Sequence, residues 1–342
     1  MVSTISNMHL VQPYAAQHSS LHGPSDARPT AEQVIRDQGL INALPGHSIL
    51  ITGCTSGIGI ETARALYLTG ANIYITARNM SRGRQVASEL STDPARPVQL
   101  IEMSLDSFAS VRKGAADFLA QESKLHISIN NAGVMATPEG KTADGFEQQF
   151  GTNHLGHFLL FQLLEPALLA GATPEQPSRV IVVSSTGHRQ VKALDFDNLD
   201  FLQTPYNPWL AYGNSKLANI YFANELTRRY QDQNLIGLSL HPGSIKTPLQ
   251  RHVDDDTMVK SATSTPEYQA QLKSVEQGAA TTVWAAVGKE WMDRGGVYLE
   301  NVGEAGPVEP KGPPYRPGYS PAAYKPEDER RLWELSEKWV SM

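Results

Sequence analysis

A tyrosine and a lysine stand four residues apart, at Tyr212 and Lys216, in the segment AYGNSKLANIYFANELTRRY. Because this segment is predicted to be a helix, the two side chains share one face at a separation of about 6 Å. A free tyrosine has a pKa of about 10 and is a poor base at neutral pH. A neighbouring ammonium group stabilises the phenolate and lowers that pKa. The pair is therefore suited to donate a proton to a carbonyl oxygen, or to accept one from an alcohol.

A glycine-rich turn, ITGCTSGIG at residues 51–59, follows a short apolar strand and opens a helix. Its three glycines let the backbone turn tightly and approach a ligand with no Cβ in the way. The helix start adds free N–H groups and the positive end of the helix dipole. The spacing G-x-x-x-G-x-G differs from the common dinucleotide fingerprint G-x-G-x-x-G. Its place between the first strand and the first helix nevertheless predicts a pyrophosphate site rather than a purely structural turn.

An arginine, Arg78, directly follows the second predicted strand, and Arg82 and Arg84 come soon after. Dinucleotide-binding proteins that prefer NAD carry an acid near this point, which accepts a hydrogen bond from the ribose 2′-hydroxyl. A guanidinium group suits a 2′-phosphate instead, because it has a permanent charge and several donors. The alternative is a solvated basic face at a helix start. We predict that the cofactor is NADP(H).

Three motifs follow one another in a characteristic order: T-G-x-x-x-G-x-G at residues 52–59, N-N-A-G at 130–133 and Y-x-x-x-K at 212–216. In this order and spacing they resemble the short-chain dehydrogenase/reductase family. The resemblance is greatest to retinol-dehydrogenase-like and WW-domain-oxidoreductase-like members, whose phrases Y-x-x-S-K-L-A-N, N-H-L-G-H-F and H-P-G recur here. It implies a nicotinamide-dependent oxidoreductase that interconverts a carbonyl and an alcohol.

The resemblance implies four catalytic residues. Tyr212 is the proton donor or acceptor, and Ser185 hydrogen-bonds the substrate oxygen beside it, with Ser184 as the competing serine. Lys216 also bonds the nicotinamide ribose. Asn153 holds a water that links Lys216 to solvent, although a capping or solvated asparagine is the simpler interpretation of that residue.

The resemblance also implies the cofactor contacts. Ser104 stands where relatives carry an Asp that contacts the adenine, and Asp106, two residues later, is the alternative. Pro242 and Gly243 belong to a loop that passes the nicotinamide ring, and Thr247 assists near the pyrophosphate or the amide. The complete predicted set is Thr52, Gly53, Ser56, Gly57, Ile58, Gly59, Arg78, Ser104, Asn131, Ala132, Gly133, Tyr212, Lys216, Pro242, Gly243 and Thr247.

Strands and helices alternate along the chain from about residue 47 to residue 300. The strands are HSILIT, ANIYITA, RPVQLIEM, HISIN, SRVIVVSS, LIGLSLH and GGVYLE. Strands that are apolar on both faces and separated by helices are typical of a parallel sheet covered on both sides. We predict a single-domain α/β, doubly wound Rossmann fold with a seven-stranded parallel sheet, in which ligands bind at the carboxyl ends of the strands.

The predicted domain covers residues 30–342, with its core at 47–300 and a flexible extension, rich in Ser, His, Gln and Pro, at 1–29. The segments 187–210 and 246–273 follow strand ends and are predicted to be lids or pocket walls. They suggest an apolar wall made by Trp209, Tyr206, Leu210, Leu249 and Met258. A Pro-rich tail and a C-terminal helix occupy residues 306–342.

Several function classes are disfavoured by composition. A net charge of −6 argues against a nucleic-acid partner, and the single cysteine, Cys54, excludes an intramolecular disulfide. His154 and His157 lack a third ligand, so no metal is predicted. No stretch approaches about 18 apolar residues, so no membrane span is predicted. We expect a soluble cytoplasmic protein that acts on a small molecule, with a homodimer as one possible state.

The sequence therefore predicts an NADP(H)-dependent oxidoreductase that acts on the carbonyl or alcohol of a lipophilic small molecule, such as a secondary metabolite. Two alternatives stay open. One is a catalytically silent NADP(H)-binding regulatory protein, since a fold alone does not specify turnover. The other is an enzyme of the same family that reduces an activated C=C bond or an imine.

Overall fold

The computed structural model describes residues 10–253, 263–311 and 316–342. Eight strands form one sheet in the order β3-β2-β1-β4-β5-β6-β7-β8. They are β1 Ser48–Ile51, β2 Asn72–Ala77, β3 Gln99–Glu102, β4 Ile127–Asn130, β5 Ser178–Val183, β6 Leu235–His241, β7 Val297–Glu300 and β8 Gly303–Glu304. The first seven pair in parallel, whereas β8 is antiparallel to β7.

The predicted α/β fold is confirmed, but the sheet has one more strand than predicted. The chain turns back after β7 through Asn301 and Val302, which both have positive φ, at 58° and 52°. Two successive residues with positive φ are characteristic of a tight hairpin turn. The returning strand is only two residues long, so no periodic pattern in the sequence announces it.

Helices cover both faces of the sheet. In chain order they are α1 Ala31–Asp37, α2 Ile58–Tyr67, α3 Met80–Leu90, α4 Phe108–Leu119, α5 Gln148–Phe150, α6 Gly156–Gly171, α7 Pro208–Tyr230, α8 Pro266–Gln271, α9 Val275–Val287 and α10 Pro326–Val340. One buried cluster includes Ile35, Leu66 and Trp284 from α1, α2 and α9. A second includes Phe158 and Trp333, from α6 and α10 on the opposite face. Among the described helices, none combines the length and apolar character of a membrane-spanning segment.

The strand order places a crevice where the chain reverses direction across the sheet. From β1 the chain proceeds outward to β2 and β3, and then returns to β4 on the other side of β1. The loops that leave β1 and β4 therefore diverge, which opens a crevice at the carboxyl ends of the central strands. The crevice brings together the glycine turn after β1, the N-N-A-G segment after β4 and the serine pair after β5.

The described part of the N-terminal extension is packed onto the domain, contrary to the prediction of a flexible segment. Tyr14 is buried, and the Val11 carbonyl accepts a hydrogen bond from the backbone of Glu304 at 2.7 Å. The buried guanidinium of Arg28 donates to the carbonyls of Gln271 and Leu272 at 2.8 and 2.6 Å. These partners lie more than 200 residues away in sequence, so local composition gave no sign of them.

Candidate active site

A cleft of about 510 Å³ occupies the crevice at the carboxyl ends of the strands. Most of the predicted site residues line it. They are Gly53, Ser56, Gly57, Ile58, Gly59, Arg78, Ser104, Asn131, Ala132, Gly133, Ser185, Tyr212, Lys216, Pro242, Gly243 and Thr247. Thr52 and Asn153 are the exceptions, because both are buried behind the lining residues.

The turn after β1 is closed against its neighbours so tightly that it requires glycine. Gly53 has φ of +75°, and a Cβ there would lie 2.7 Å from the Cα of Ala132. A Cβ on Gly59 would lie 2.5 Å from the carbonyl oxygen of Gly53. Helix α2 then begins with Gly57 as its N-cap, so no N-cap side chain occupies its first N–H groups. This cradle fits the pyrophosphate of a dinucleotide, because free N–H groups and the helix dipole at a helix start favour an anionic group.

Thr52 was predicted to contact the cofactor, but the structure gives it a supporting position. Its hydroxyl accepts hydrogen bonds from the backbone N–H groups of Asn131 and Ala132, both at 3.0 Å. It also lies 2.8 Å from Nε2 of His157 and 3.3 Å from the carbonyl of Ile129. Thr52 therefore ties the end of β1 to the segment after β4 and fixes the floor of the cleft.

The far end of the cleft carries a polar pair and a cation. Ser104 donates its hydroxyl hydrogen to the carboxylate of Asp106 at 2.5 Å, and both residues line the cleft. The two candidates for the adenine contact are thus hydrogen-bonded to each other, and the contact itself stays a prediction. Arg78 lies 3.8 Å from the same carboxylate, and its side chain is 75% exposed. Its guanidinium therefore keeps most of its donors available to a ligand at the mouth of the cleft.

Three groups meet at the middle of the cleft. Tyr212 and Lys216 lie one turn apart on α7, with Nζ of Lys216 5.6 Å from the centre of the Tyr212 ring. Ser185, the second residue after β5, hydrogen-bonds the tyrosine hydroxyl. Ser184 is turned away and donates to the carbonyl of Lys216 at 2.7 Å. The structure thus separates the two candidate serines, since only Ser185 reaches the phenol.

Burial shifts the pKa values of the tyrosine and the lysine in opposite directions. Burial raises the pKa of Tyr212 to about 12, against the hydrogen bond with Ser185, which lowers it. Burial also lowers the pKa of Lys216 to about 8. Lys216 was predicted to lower the pKa of Tyr212, but the effect of burial is larger in the protein without cofactor. The low-polarity surroundings disfavour both the phenolate and the ammonium group.

Asn153 lies in a break of the long helix that the sequence predicted. Between α5 and α6 the residues Gly151–Leu155 form a π-helical turn, a feature common at functional sites. The Asn153 side chain accepts from the N–H of Val134 at 2.8 Å and donates to the Val134 carbonyl and to Ser215 at 3.0 and 2.9 Å. It thereby braces the loop after β4 against α7. Its role in holding a water stays a prediction.

The two histidines of this helical region have structural partners. His154 contacts the hydroxyl of Ser336 in α10 at 2.9 Å, and His157 lies between Thr52 and the carbonyl of Asn153. Burial lowers the pKa of His154 to about 3 and that of His157 to about 4, so both are neutral. Within the described residues, no group of three metal-ligating side chains is found.

The predicted apolar wall is only partly formed. Trp209 and Leu249 line the cleft, whereas Tyr206 and Leu210 do not. The hydroxyl of Tyr206 is instead held by Gln149 and the Thr137 carbonyl, at 3.0 and 3.2 Å, and Leu210 is exposed. Met258 lies outside the described residues. Lining residues that sequence reasoning missed include Gln190, Arg251 and Tyr268, which add polar groups to the cleft, and the apolar Val253.

A further missed residue is Gly187, two positions after Ser185. A Cβ at this position would lie 3.0 Å from the ring of Tyr212, so the backbone itself forms the wall against which the phenol packs. The neighbouring Thr186 also lines the cleft. Their position directly after the strand-end serine was the available signal, because residues at such ends face the ligand site.

The chain is similar to known proteins over most of its length. The profile of the short chain dehydrogenase family matches residues 47–195. Short-chain dehydrogenase/reductase prx1 of Penicillium roqueforti is 48% identical over 321 residues, which are 94% of this chain and 93% of that protein. Retinol dehydrogenase 13 of Homo sapiens is 36% identical over 301 residues, 87% of this chain and 86% of that protein.

A solved structure with a bound cofactor has the same fold. The RhlG/NADP active-site complex from Pseudomonas aeruginosa matches this chain with a TM-score of 0.58 and 25% sequence identity. The match covers 76% of this chain and 96% of the RhlG chain. The similarity therefore extends over nearly the whole of that protein rather than over one shared segment.

Proposed function

This chain belongs to the short-chain dehydrogenase/reductase family, and we propose that it is an NADP(H)-dependent enzyme that interconverts a carbonyl and an alcohol on a lipophilic small molecule. One observation carries the proposal: Ser185, Tyr212 and Lys216 converge on the cleft that the glycine turn also lines. A protein that only sensed the cofactor would have no use for a serine, a phenol and an ammonium group around one point.

A bound nicotinamide supplies or takes up the hydride in such a reaction. In the direction of reduction, Tyr212 donates its proton to the carbonyl oxygen, and Ser185 donates a hydrogen bond to the same oxygen. Because burial raises the pKa of Tyr212 to about 12, the phenol is protonated at neutral pH, which is the form that reduction requires. In the direction of oxidation the phenolate must form, and the ammonium group of Lys216 stabilises it.

The preference for NADP(H) is supported by the exposed Arg78 at the end of β2 and by the absence of an acid at that position. RhlG, at 25% identity, has been solved as a complex with NADP. A guanidinium can bind a 2′-phosphate through charge-assisted hydrogen bonds, which the 2′-hydroxyl of NADH does not offer.

Replacing Arg78 with alanine is expected to raise the Kd for NADPH about tenfold, the lower end of what a charge-assisted contact contributes, because the side chain is solvated. The Kd for NADH should change less than about twofold, since NADH has no 2′-phosphate to lose its partner. Fluorescence titration of each cofactor into wild-type and variant protein measures both values. An equal rise in Kd for NADPH and NADH would mean that Arg78 is a surface charge with no role in recognising the 2′-phosphate.

A lipophilic substrate is supported by Trp209, Leu249 and Val253 at one end of the cleft. Retinol dehydrogenase 13, whose name refers to a lipophilic alcohol, is 36% identical. The reaction itself is tested by incubating the protein with NADPH and a panel of aldehydes and ketones, apolar and charged. We expect consumption of NADPH with an apolar carbonyl compound. NADPH binding without consumption would favour the silent regulatory protein, and consumption only with activated C=C compounds or imines would favour the other alternative.

A further inference from the structure

A second cavity, of about 870 Å³, adjoins the catalytic cleft. Thr186, His241, Gly243 and Ser244 line both spaces, so the second cavity begins where the loop after β6 forms one side of the first. Its other walls come from parts of the chain remote in sequence. They are the N-terminal segment around residues 10–28, the segment 271–273, the hairpin after β7 and the tail at 316–318.

A buried ammonium group, that of Lys273, lies in the wall of this second cavity. Its Nζ donates to Asn301 Oδ1 at 2.9 Å and is 3.4 Å from the carbonyl of Pro242. An ammonium group has three donors, and these two contacts use at most two of them. No carboxylate in the described part of the chain lies within the 4.0 Å of an ion pair with it. Lys273 is therefore a buried cation without a direct counter-ion among those residues.

A histidine with unused hydrogen-bonding capacity lies beside it. His241 is 9% exposed, and its Nδ1 has no hydrogen-bond partner among the described residues. Burial, with the positive charge of Lys273 as the next cause, lowers the pKa of His241 well below its ordinary value. The neutral imidazole can still donate one hydrogen bond. Because buried polar groups are normally satisfied, the Nδ1 of His241 calls for a partner that the described chain does not provide, and the ammonium group of Lys273 has a third donor available for the same ligand.

The remaining charges around the second cavity largely cancel. Arg189 pairs with Glu300 at 3.3 Å, Arg28 with Asp26 at 2.7 Å, and Arg294 with Glu304 at 2.7 Å. His18 is neutral at pH 7, since burial lowers its pKa to about 4. At the rim, Glu309 is exposed, and the guanidinium of Arg316 donates to the Glu309 carbonyl. Lys273 is the buried cation in this wall without a direct ion pair among the described residues, although the more distant carboxylate of Glu300 partly offsets the lowering of its pKa by burial. An anionic group placed beside it would remove the cost of an unpaired buried cation.

We propose that the second cavity is a carboxylate-binding site, with Lys273 as the counter-ion and His241 as a second hydrogen-bonding group. A carboxylate fits because its two oxygens can each accept from one of these two side chains. Since the cavity opens beside the loop that borders the cleft, the carboxylate belongs to the far end of an otherwise apolar substrate whose carbonyl reacts at Tyr212. This last assignment rests on the function proposed above, whereas carboxylate binding itself does not.

Equilibrium binding tests the site without any turnover. Isothermal titration of the wild-type protein with benzoate and with benzamide compares two probes of equal shape that differ in charge. We expect benzoate to bind at least about tenfold more tightly, as a charge-assisted contact implies. Equal affinities, or no binding of either probe, would overturn the proposal even if the enzyme reduced carbonyl compounds.

Variants separate the site from general effects of charge. Lys273→Met should abolish the preference for benzoate, Lys273→Arg should retain it, and Lys289→Met, which removes an exposed lysine elsewhere, should leave it unchanged. A titration with NADPH shows whether each variant still forms the cofactor cleft. A preference for benzoate that survives Lys273→Met in a variant that binds NADPH would also overturn the proposal.

Discussion

Tyr212→Phe is expected to lower kcat for carbonyl reduction by about 10²–10⁴-fold, the range that a positioned general acid contributes. The substitution removes only the hydroxyl that hydrogen-bonds Ser185, and keeps the ring that packs against Gly187. The NADPH affinity should stay within about threefold, because the cradle for the pyrophosphate lies elsewhere in the cleft. Steady-state kinetics with the best substrate of the panel, together with a fluorescence titration of NADPH, measures both quantities.

A matched control for this variant is Tyr206→Phe. That substitution also removes a phenolic hydroxyl, but one that contacts Gln149 and the Thr137 carbonyl outside the cleft. Its effect on kcat should be small beside that of Tyr212→Phe. If Tyr212→Phe kept most of the wild-type turnover, Tyr212 would not be the proton donor.

Ser185→Ala is expected to lower kcat by about 10²–10³-fold, the effect of removing one donor to a developing oxyanion. Its neighbour provides the control, because Ser184 donates to the Lys216 carbonyl instead of facing the phenol. Ser184→Ala removes one buried hydrogen bond and should cost about 1 kcal/mol of stability, with a far smaller loss of turnover. Kinetics and thermal unfolding of both variants separate the two effects.

The opposite pattern would reassign the catalytic serine. A large loss of kcat in Ser184→Ala with near-normal turnover in Ser185→Ala would mean that the cofactor-bound site is arranged differently from the cleft described above. Comparable losses in both variants, without a change in stability, would mean that neither serine alone positions the substrate oxygen.

Much of the fold could be predicted from local patterns. A short apolar run such as SRVIVVSS forms a strand whose two faces are both buried. Each of the seven parallel strands lies within one of the apolar runs that predicted it. The β8 strand was missed because two residues cannot display a period. The π-helical turn at Gly151–Leu155 was missed because its residues look helical, and the break is set by the contacts of Asn153 with Val134 and Ser215.

The candidate site could be predicted where motifs mark strand ends. Gly53 and Ser185 follow the ends of strands β1 and β5, and both line the cleft. Tyr212 and Lys216 lie one turn apart on one helix, so their spacing in the sequence already places them together. Sequence reasoning could not foresee the supporting position of Thr52, because that depends on how closely the loops after β1 and β4 pack. It also could not foresee the second cavity, because Arg28 and Lys273, which both line it, are far apart in the sequence.

The proposed reaction requires a hydride to pass between a nicotinamide bound in this cleft and a carbonyl carbon placed beside Tyr212. Reduction of the best carbonyl substrate with NADPH that carries deuterium at the transferable C4 position tests it most directly. The product alcohol is predicted to carry deuterium on the former carbonyl carbon. Product without deuterium at that carbon, or with deuterium on a former C=C carbon, would rule out hydride transfer to a carbonyl carbon in this cleft.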